Sequence, residues 1–159
     1  MRVITGKYKG RRFDIPRTFK ARPTTDFAKE NLFNVLQGYI DFDEAPSALD
    51  LFSGTGSITL ELLSRGCGHV VSVENDPLHF GFICSFIDKL QAKEAFPVRA
   101  DPPYALEQLA QMPDIVMERD LLNEGGLFVL EHSKRNDFSQ HPRFVEHRAY
   151  GSVNFSFFQ

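Results

Sequence analysis

Strand-like and helix-like runs of apolar residues alternate along this chain. Short apolar runs typical of buried strands occupy Ala48–Phe52, His69–Glu74 and Leu127–Glu131. Between the first two, and after the second, apolar residues recur at helical spacing over Ile58–Ser64 and about Pro77–Leu90. Strands that alternate with helices predict an α/β fold with a mostly parallel sheet and helices on both faces.

Both ends of the chain carry antiparallel patterns. Residues 2–15 contain two short apolar runs punctuated by Gly6 and Gly10, which predicts a small N-terminal β-hairpin. Residues 144–158 contain two alternating runs split at Gly151, which predicts a C-terminal antiparallel hairpin. The α/β body therefore carries a hairpin at each end.

A helix is predicted directly after the first hairpin. Thr24 or Thr25 can serve as its N-cap, and apolar positions repeat at helical spacing until Gly38. We therefore expect two regions, a basic hairpin segment at residues 1–22 and an α/β domain at residues 23–159.

One connection is too short for this architecture. Between the helix that ends near Leu90 and Asp101 there is room for only one strand, Phe96–Ala100. Neighbouring parallel strands need a crossover of about a dozen residues or more. We therefore expect the printed sequence to skip residues next to Ala100.

Charge is distributed unevenly along the chain. The net charge is −3, yet residues 1–22 alone carry +7, which leaves −10 on the remainder. A basic segment on an acidic body favours a polyanionic partner for that segment, although a solvated basic face is the alternative. The residues that we assign to nucleic-acid contact are Lys7, Lys9, Arg11, Arg12 and Arg22.

Composition excludes several classes of protein. The 159 residues fit a single core, and no apolar run approaches the roughly 20 residues that span a bilayer. Cys67 and Cys84 do not form a metal-spaced pair, and the five histidines show no metal spacing. We expect a cytoplasmic protein without a metal or membrane partner, and a monomer.

A glycine-containing loop follows the first strand. Gly54 and Gly56 allow a tight turn and close approach of a ligand, although the third glycine of the dinucleotide fingerprint is absent. Asp50 adds a carboxylate suited to an ammonium group, which S-adenosylmethionine (SAM) has and NAD lacks. We assign Asp50, Phe52, Gly54 and Gly56 to a cofactor site.

The second strand ends in another acid. Glu74 lies 18 residues after Gly56, where a carboxylate can accept hydrogen bonds from both hydroxyls of a ribose. We assign Glu74 and its neighbour Asn75 to the same cofactor site.

The segment Asp101-Pro102-Pro103-Tyr104 carries the most specific chemistry. Proline fixes φ and has no N–H, so the Pro102 carbonyl is free to accept. Together with the Asp101 side chain, it can accept hydrogen bonds from both N–H groups of an exocyclic amino group and orient that nitrogen towards a methyl donor. Tyr104 can stack on the nucleic-acid base that carries this amino group. We therefore predict that Asp101, Pro102 and Tyr104 are catalytic.

The motifs together resemble the RsmD-type family, bacterial guanine-N2 methyltransferases that act on 16S rRNA. The resemblance implies a Rossmann-like sheet, SAM as cofactor, and RNA of an assembled or assembling small ribosomal subunit as substrate. It also implies that a strand and an acidic residue near the adenine of SAM precede Asp101. In this region the chain departs from the family. The matching segments are Arg2–Phe13, Arg22–Asp26, Lys29–Asn34, Leu49–Ser57, Leu62–Gly66, Val73–Glu74, Asp101–Tyr104, Gly126–His132 and Tyr150–Gly151.

Two alternatives remain open. The same chemistry serves amino-methyltransferases that act on DNA, but these usually carry a target-recognition region for which 159 residues leave no room. The second alternative is an RNA-binding or ribosome-assembly module that lost activity together with the missing segment.

Overall fold

The computed structural model of the chain describes residues 1–19, 24–100 and 106–159. The chain divides into two compact units, Met1–Pro102 and Pro103–Gln159. Each unit contains a three-stranded sheet.

The sheet of the first unit is parallel. Its strands are β1 (Ser47–Leu51), β2 (His69–Glu74) and β3 (Ala95–Arg99), in the order β1-β2-β3. In this register Leu49 lies beside Val71, which lies beside Phe96. Parallel strands place their carboxyl ends at one edge of the sheet, so Asp50 and Glu74 end up at the same edge.

Three helices connect and flank these strands. They are α1 (Asp26–Leu36), α2 (Ser57–Arg65) and α3 (Pro77–Leu90), with a 3-10 turn at Phe42–Glu44 before β1. Thr25 is the N-cap of α1 and accepts from the Ala28 amide, which settles the choice left open by the sequence. Asp76 caps α3 by accepting from the amides of residues 78 and 79.

The core of the first unit lies on one face of the sheet. Val70 on β2, Leu63 on α2 and Phe86 on α3 are fully buried there. Alternate side chains of a strand point to opposite faces, so Leu49 and Phe96 lie on the other side. Those two side chains are 53% and 44% exposed, so this face is more open than the core face.

The N-terminal residues form the expected hairpin and pack against α2. One antiparallel bridge joins Arg2 to Arg12, and the turn between them docks on the end of α2. The Ser64 carbonyl accepts from the Lys7 amide at 2.7 Å, and the Ser64 hydroxyl accepts from the Tyr8 amide at 3.0 Å. Backbone amides of the hairpin therefore hold it on α2 by hydrogen bonds to Ser64.

A buried carboxylate strengthens this attachment. Glu61 of α2 is 0% exposed and accepts from two consecutive hairpin amides, Ile4 at 2.8 Å and Thr5 at 3.0 Å. Arg65 donates to the same carboxylate at 2.9 Å. Buried acceptors that receive charge-assisted hydrogen bonds from fixed backbone donors are strongly stabilising.

The second unit contains an antiparallel sheet. Its elements are a 3-10 helix at Leu106–Gln111, helix α4 (Met112–Glu118) and strands β4 (Phe128–His132), β5 (Phe144–Tyr150) and β6 (Val153–Phe158). The strand order is β4-β6-β5, with β5 and β6 forming the predicted C-terminal hairpin. Phe155, Phe157 and Phe158 of β6 are buried.

The α/β class is confirmed, but the strands do not form one mostly parallel sheet. Within the part of the chain that the structure describes, they divide into one parallel and one antiparallel sheet of three strands each. The expectation that the printed sequence skips residues near Ala100 stays a prediction.

The docked turn gives a matched pair of glycine substitutions. Gly6 and Gly10 both have left-handed φ angles, +88° and +81°. A Cβ atom on Gly6 would lie 1.8 Å from the Ser64 carbonyl oxygen, whereas one on Gly10 would meet nothing within 4 Å. We expect Gly10→Ala to lower the free energy of unfolding by about 1–2 kcal/mol through φ strain alone, and Gly6→Ala to cost about 2 kcal/mol more. Urea unfolding measures both; equal losses would show that the turn does not dock on α2.

Candidate functional site

The loop between β1 and α2 has a strained backbone. Phe52, directly after β1, has a φ of 58°, which is uncommon for a residue with a side chain and costs about 1–3 kcal/mol. Gly54 and Gly56 are also left-handed, with φ angles of 55° and 72°. A Cβ atom on Gly56 would lie 2.8 Å from side-chain atoms of Ile83 and Phe86. Such strain concentrates at sites where backbone approaches a ligand.

Asp50 lies beneath this loop and is bound to the first turn of α2. Its carboxylate accepts from the Thr59 amide at 3.0 Å and from the Thr59 hydroxyl at 2.6 Å. Burial raises the pKa of the Asp50 carboxyl to about 6, although the hydrogen bonds from Thr59 act in the opposite direction. A desolvated carboxylate of this kind gains stability when a cation binds beside it.

Glu74 links β2 to the same loop. One carboxylate oxygen accepts from the Gly54 amide at 2.6 Å, and the other accepts from the Asp76 amide at 2.9 Å. Each carboxylate oxygen can accept two hydrogen bonds, so both retain capacity for a hydroxyl donor. The structure therefore brings Asp50, Gly54 and Glu74 together, as the sequence predicted.

Two further residues border Glu74. Asn75 is exposed, and its carbonyl accepts from Arg99 at 3.5 Å. His79 was not predicted; its Nδ1 atom lies 4.0 Å from the Glu74 carboxylate, and its ring lies 4.4 Å from that of Phe19. Histidine at the start of a helix gave no sequence signal, because only the fold places it beside Glu74.

The predicted catalytic residues Asp101, Pro102 and Tyr104 lie outside the described residues, as does Arg22. Their assignments remain predictions.

The described part of the basic segment presents an exposed cationic surface. Lys9, Arg11 and Arg12 are exposed. Lys7 differs, because it forms an ion pair with Glu94 at 2.6 Å that holds the pKa of Glu94 below its usual value. Lys9, Arg11 and Arg12 are therefore the better candidates for phosphate contact.

The histidines of the second unit have structural partners. His132 Nε2 lies 2.8 Å from the Ser156 hydroxyl, and His132 Nδ1 lies 2.9 Å from the Ser133 carbonyl. Within residues 1–19, 24–100 and 106–159, no cluster of three or more potential metal ligands occurs. None of the helices described is long and apolar enough to cross a membrane.

The loop, Asp50 and Glu74 fit the cofactor that the motifs predict. SAM carries an ammonium group, for which the desolvated Asp50 carboxylate is a suitable partner, and a ribose diol, for which Glu74 retains acceptor capacity. Phe52 is 51% exposed at the loop and offers an apolar ring to a bound molecule.

Comparison with known proteins gives two sequence relatives. The protein provisionally named rRNA methyltransferase YlbH, from Bacillus subtilis, is 32% identical over 156 aligned positions, which cover 84% of this chain and 83% of YlbH. Ribosomal RNA small subunit methyltransferase D of Buchnera aphidicola subsp. Baizongia pistaciae is 26% identical over 82% of this chain and 75% of that protein. The YlbH alignment has more positions than the part of this chain it covers, so YlbH carries residues that this chain lacks.

Solved structures confirm the fold. Escherichia coli yhhF, provisionally named a methyltransferase, superposes with a TM-score of 0.83 at 23% identity and covers 100% of this chain and 97% of its own. An RNA methyltransferase of Salinibacter ruber, in complex with S-adenosyl-L-homocysteine, gives a TM-score of 0.66 at 13% identity and covers 86% of this chain and 92% of its own. The fold is that of SAM-dependent methyltransferases.

A family model described as conserved hypothetical protein 95 matches residues 1–100 and 85–159. Residues 85–100 are matched twice. The stretch that is matched twice contains β3.

Asp50 should reduce stability at neutral pH. Its pKa in the folded protein is about 6, above the ordinary value of 3.8, so the folded state binds this proton more tightly than the unfolded chain does. The ionised carboxylate therefore destabilises the fold above about pH 6, and this penalty fades as the pH falls from 6 towards 4. We expect Asp50→Asn to raise the free energy of unfolding by about 1 kcal/mol at pH 7.5 and by less at pH 5.

Urea unfolding at the two pH values measures this effect, with Glu124→Gln, an exposed carboxylate of the second unit, as control. A loss of stability in Asp50→Asn at both pH values would contradict the prediction.

Proposed function

The chain belongs to the conserved hypothetical protein 95 family, and from that membership together with the loop geometry we propose that it methylates an exocyclic amino group of guanine, at N2, in small-subunit (16S) rRNA. The cofactor is SAM, and the partner is RNA of an assembled or assembling small ribosomal subunit. We propose that the protein acts in the cytoplasm as a monomer.

One observation carries this proposal. The Asp50 and Glu74 carboxylates lie at the loop between β1 and α2, in which several residues have left-handed φ angles. Glu74 accepts a hydrogen bond from this loop, and Asp50 accepts one from α2. This arrangement supports a cofactor site rather than a tight turn alone, because a turn does not need two acids at its base. The names of the sequence relatives then support methyl transfer among the reactions that such a site could serve.

The proposed chemistry needs little from the protein except position and charge. SAM supplies an electrophilic methyl group when bound. The Asp101 side chain and the Pro102 carbonyl accept the two N–H bonds of the guanine amino group, so that its lone pair points towards the methyl carbon. As the N–C bond formed and the S–C bond of SAM broke, S-adenosylhomocysteine would leave with the sulfur electron pair. Positive charge would develop on nitrogen, where the Asp101 carboxylate would stabilise it and then accept the proton that the amino group loses. Tyr104 stacks on the base.

The basic segment supports RNA as the substrate. Lys9, Arg11 and Arg12 are exposed on a hairpin that Glu61 and Ser64 hold in a fixed position on α2. Cations on a fixed scaffold orient a phosphate backbone as well as attract it. In the sequence, Arg22 belongs to the same positively charged segment.

The test is direct. Isothermal titration calorimetry establishes whether the protein binds SAM, and transfer of tritium from labelled SAM to small-subunit rRNA or duplex DNA establishes the substrate. Mass-spectrometric mapping of the methylated guanine then identifies the position. The short connection after β3 favours one competitor, a non-catalytic RNA-binding module; RNA binding without SAM binding would establish that function instead.

Two substitutions separate catalysis from cofactor binding. We expect Asp101→Ala to lower the transfer rate by about 100-fold or more while SAM affinity stays within a few-fold, because Asp101 is assigned to the target amino group. Glu74→Ala should weaken SAM binding markedly and leave transfer at saturating SAM nearly intact, because two charge-assisted hydrogen bonds are lost. Single-turnover kinetics and calorimetry measure the two effects. Near-normal turnover in Asp101→Ala would rule out the assigned mechanism.

The hairpin cations should set the salt dependence of RNA binding. Replacing Lys9, Arg11 and Arg12 with alanine removes three phosphate contacts and should reduce the slope of log K against log salt by about two. Lys7→Ala should change the slope much less, because Lys7 is already paired with Glu94. Filter binding over a salt series measures the slope, and SAM affinity should not change. An unaltered slope in the triple variant would identify the segment as a solvated face.

A further inference from the structure

Lys29 of α1 is a fully buried cation whose hydrogen bonds go to neutral acceptors. Its side chain is 0% exposed, and its Nζ atom donates to the Arg2 carbonyl at 2.6 Å and to the Ser57 hydroxyl at 3.1 Å. The carboxylates of Asp26 and Glu61 lie farther away, each at 3.9 Å. Lys29 is therefore close to negative charge without a contact ion pair.

The surroundings of Lys29 do not neutralise it. Glu61 is shared with Arg65 at 2.9 Å and with two backbone amides. The charged groups that act on Lys29 are the carboxylates of Glu61 and Asp26 and the guanidinium groups of Arg2 and Arg65. Counting Lys29 itself, the cluster holds three cations and two anions, which leaves one positive charge in excess.

This excess charge faces the first turn of α2. Ser57 is the first residue of that helix, and Gly56 caps it without a side-chain hydrogen bond. Two residues further on, Thr59 binds the Asp50 carboxylate. The first turn of α2 thus contacts Lys29 through Ser57 and Asp50 through Thr59, two charges of opposite sign.

A buried cation at a helix N-terminus is unfavourable for the protein alone. The exposed amides of a helix start already carry partial positive charge, which repels an ammonium group. Burial also disfavours the charged form, and it lowers the pKa of Lys29. An anion bound beside this turn would compensate both effects.

We propose that Lys29 is a positioning residue for the amino-acid end of the cofactor, supplying through Ser57 the positive charge that balances the SAM carboxylate, while Asp50 balances its ammonium group. The inference rests on the proposed function, because it requires that SAM binds at this loop. It adds the residue that recognises the carboxylate, and Lys29 does so without touching the ligand.

The test compares two ligands that differ only in the carboxylate. Calorimetry measures the dissociation constants of SAM and of decarboxylated SAM for the wild type and for Lys29→Gln, which removes the charge and keeps a hydrogen-bond donor. We expect Lys29→Gln to weaken SAM about tenfold and to leave decarboxylated SAM within twofold, because a buried charge acts over several ångströms. Lys29→Arg should restore the preference for SAM.

Control variants separate this role from a general structural one. Asp50→Asn should weaken both ligands, because both retain the ammonium group. Glu61→Gln disturbs the same cluster but removes a negative charge, so the preference for SAM should persist. If Lys29→Gln lacks the wild-type circular dichroism spectrum, Ser57→Ala replaces it, with an expected loss of about threefold for SAM alone.

The outcomes are distinct. Equal weakening of both ligands in Lys29→Gln, or no weakening of either, overturns the inference and leaves the proposed function standing. Failure of the wild type to bind either ligand overturns the proposed function and, with it, the role of Lys29.

Discussion

The buried carboxylate of Glu61 joins three parts of the first unit: the N-terminal hairpin, α2 and the cationic cluster around Lys29. It accepts from Ile4, Thr5 and Arg65 at hydrogen-bond distance, and Lys29 lies 3.9 Å away. A buried carboxylate costs several kcal/mol of desolvation unless such donors surround it. Because the donors belong to separate segments, the Glu61 carboxylate obtains its hydrogen bonds only when these segments pack together.

The cofactor loop depends on this assembly. Lys29 bridges the hairpin carbonyl of Arg2 and the hydroxyl of Ser57, so the first turn of α2 is attached to the segment that carries the exposed cations. On the other side of the loop, Glu74 ties Gly54 to the end of β2. The proposed RNA-binding and cofactor-binding surfaces therefore belong to one hydrogen-bonded framework, and neither can be rearranged without breaking buried polar contacts.

Local patterns could be predicted from the sequence, whereas the partners of buried charges could not. Thr25 as a cap, the β1–loop–α2 segment with Asp50, and the C-terminal hairpin all follow from neighbouring residues. Lys29 and Glu61 are typical of a solvated helix face when considered singly, and only tertiary packing buries them. The sequence also showed that the connection before Asp101 is short. Residue spacing alone does not distinguish residues omitted from the printed sequence from residues absent from the protein.

The small size of the parallel sheet explains why the hairpin matters to stability. A three-stranded parallel sheet is close to the smallest that is stable by itself, and here one face retains exposed Leu49 and Phe96. The hairpin adds Val3, 1% exposed, to the core on the other face, and its backbone satisfies Glu61 and Ser64. The N-terminal segment therefore contributes both apolar burial and polar satisfaction. The same segment that is proposed to hold RNA is thereby also part of the core that holds the cofactor loop in place.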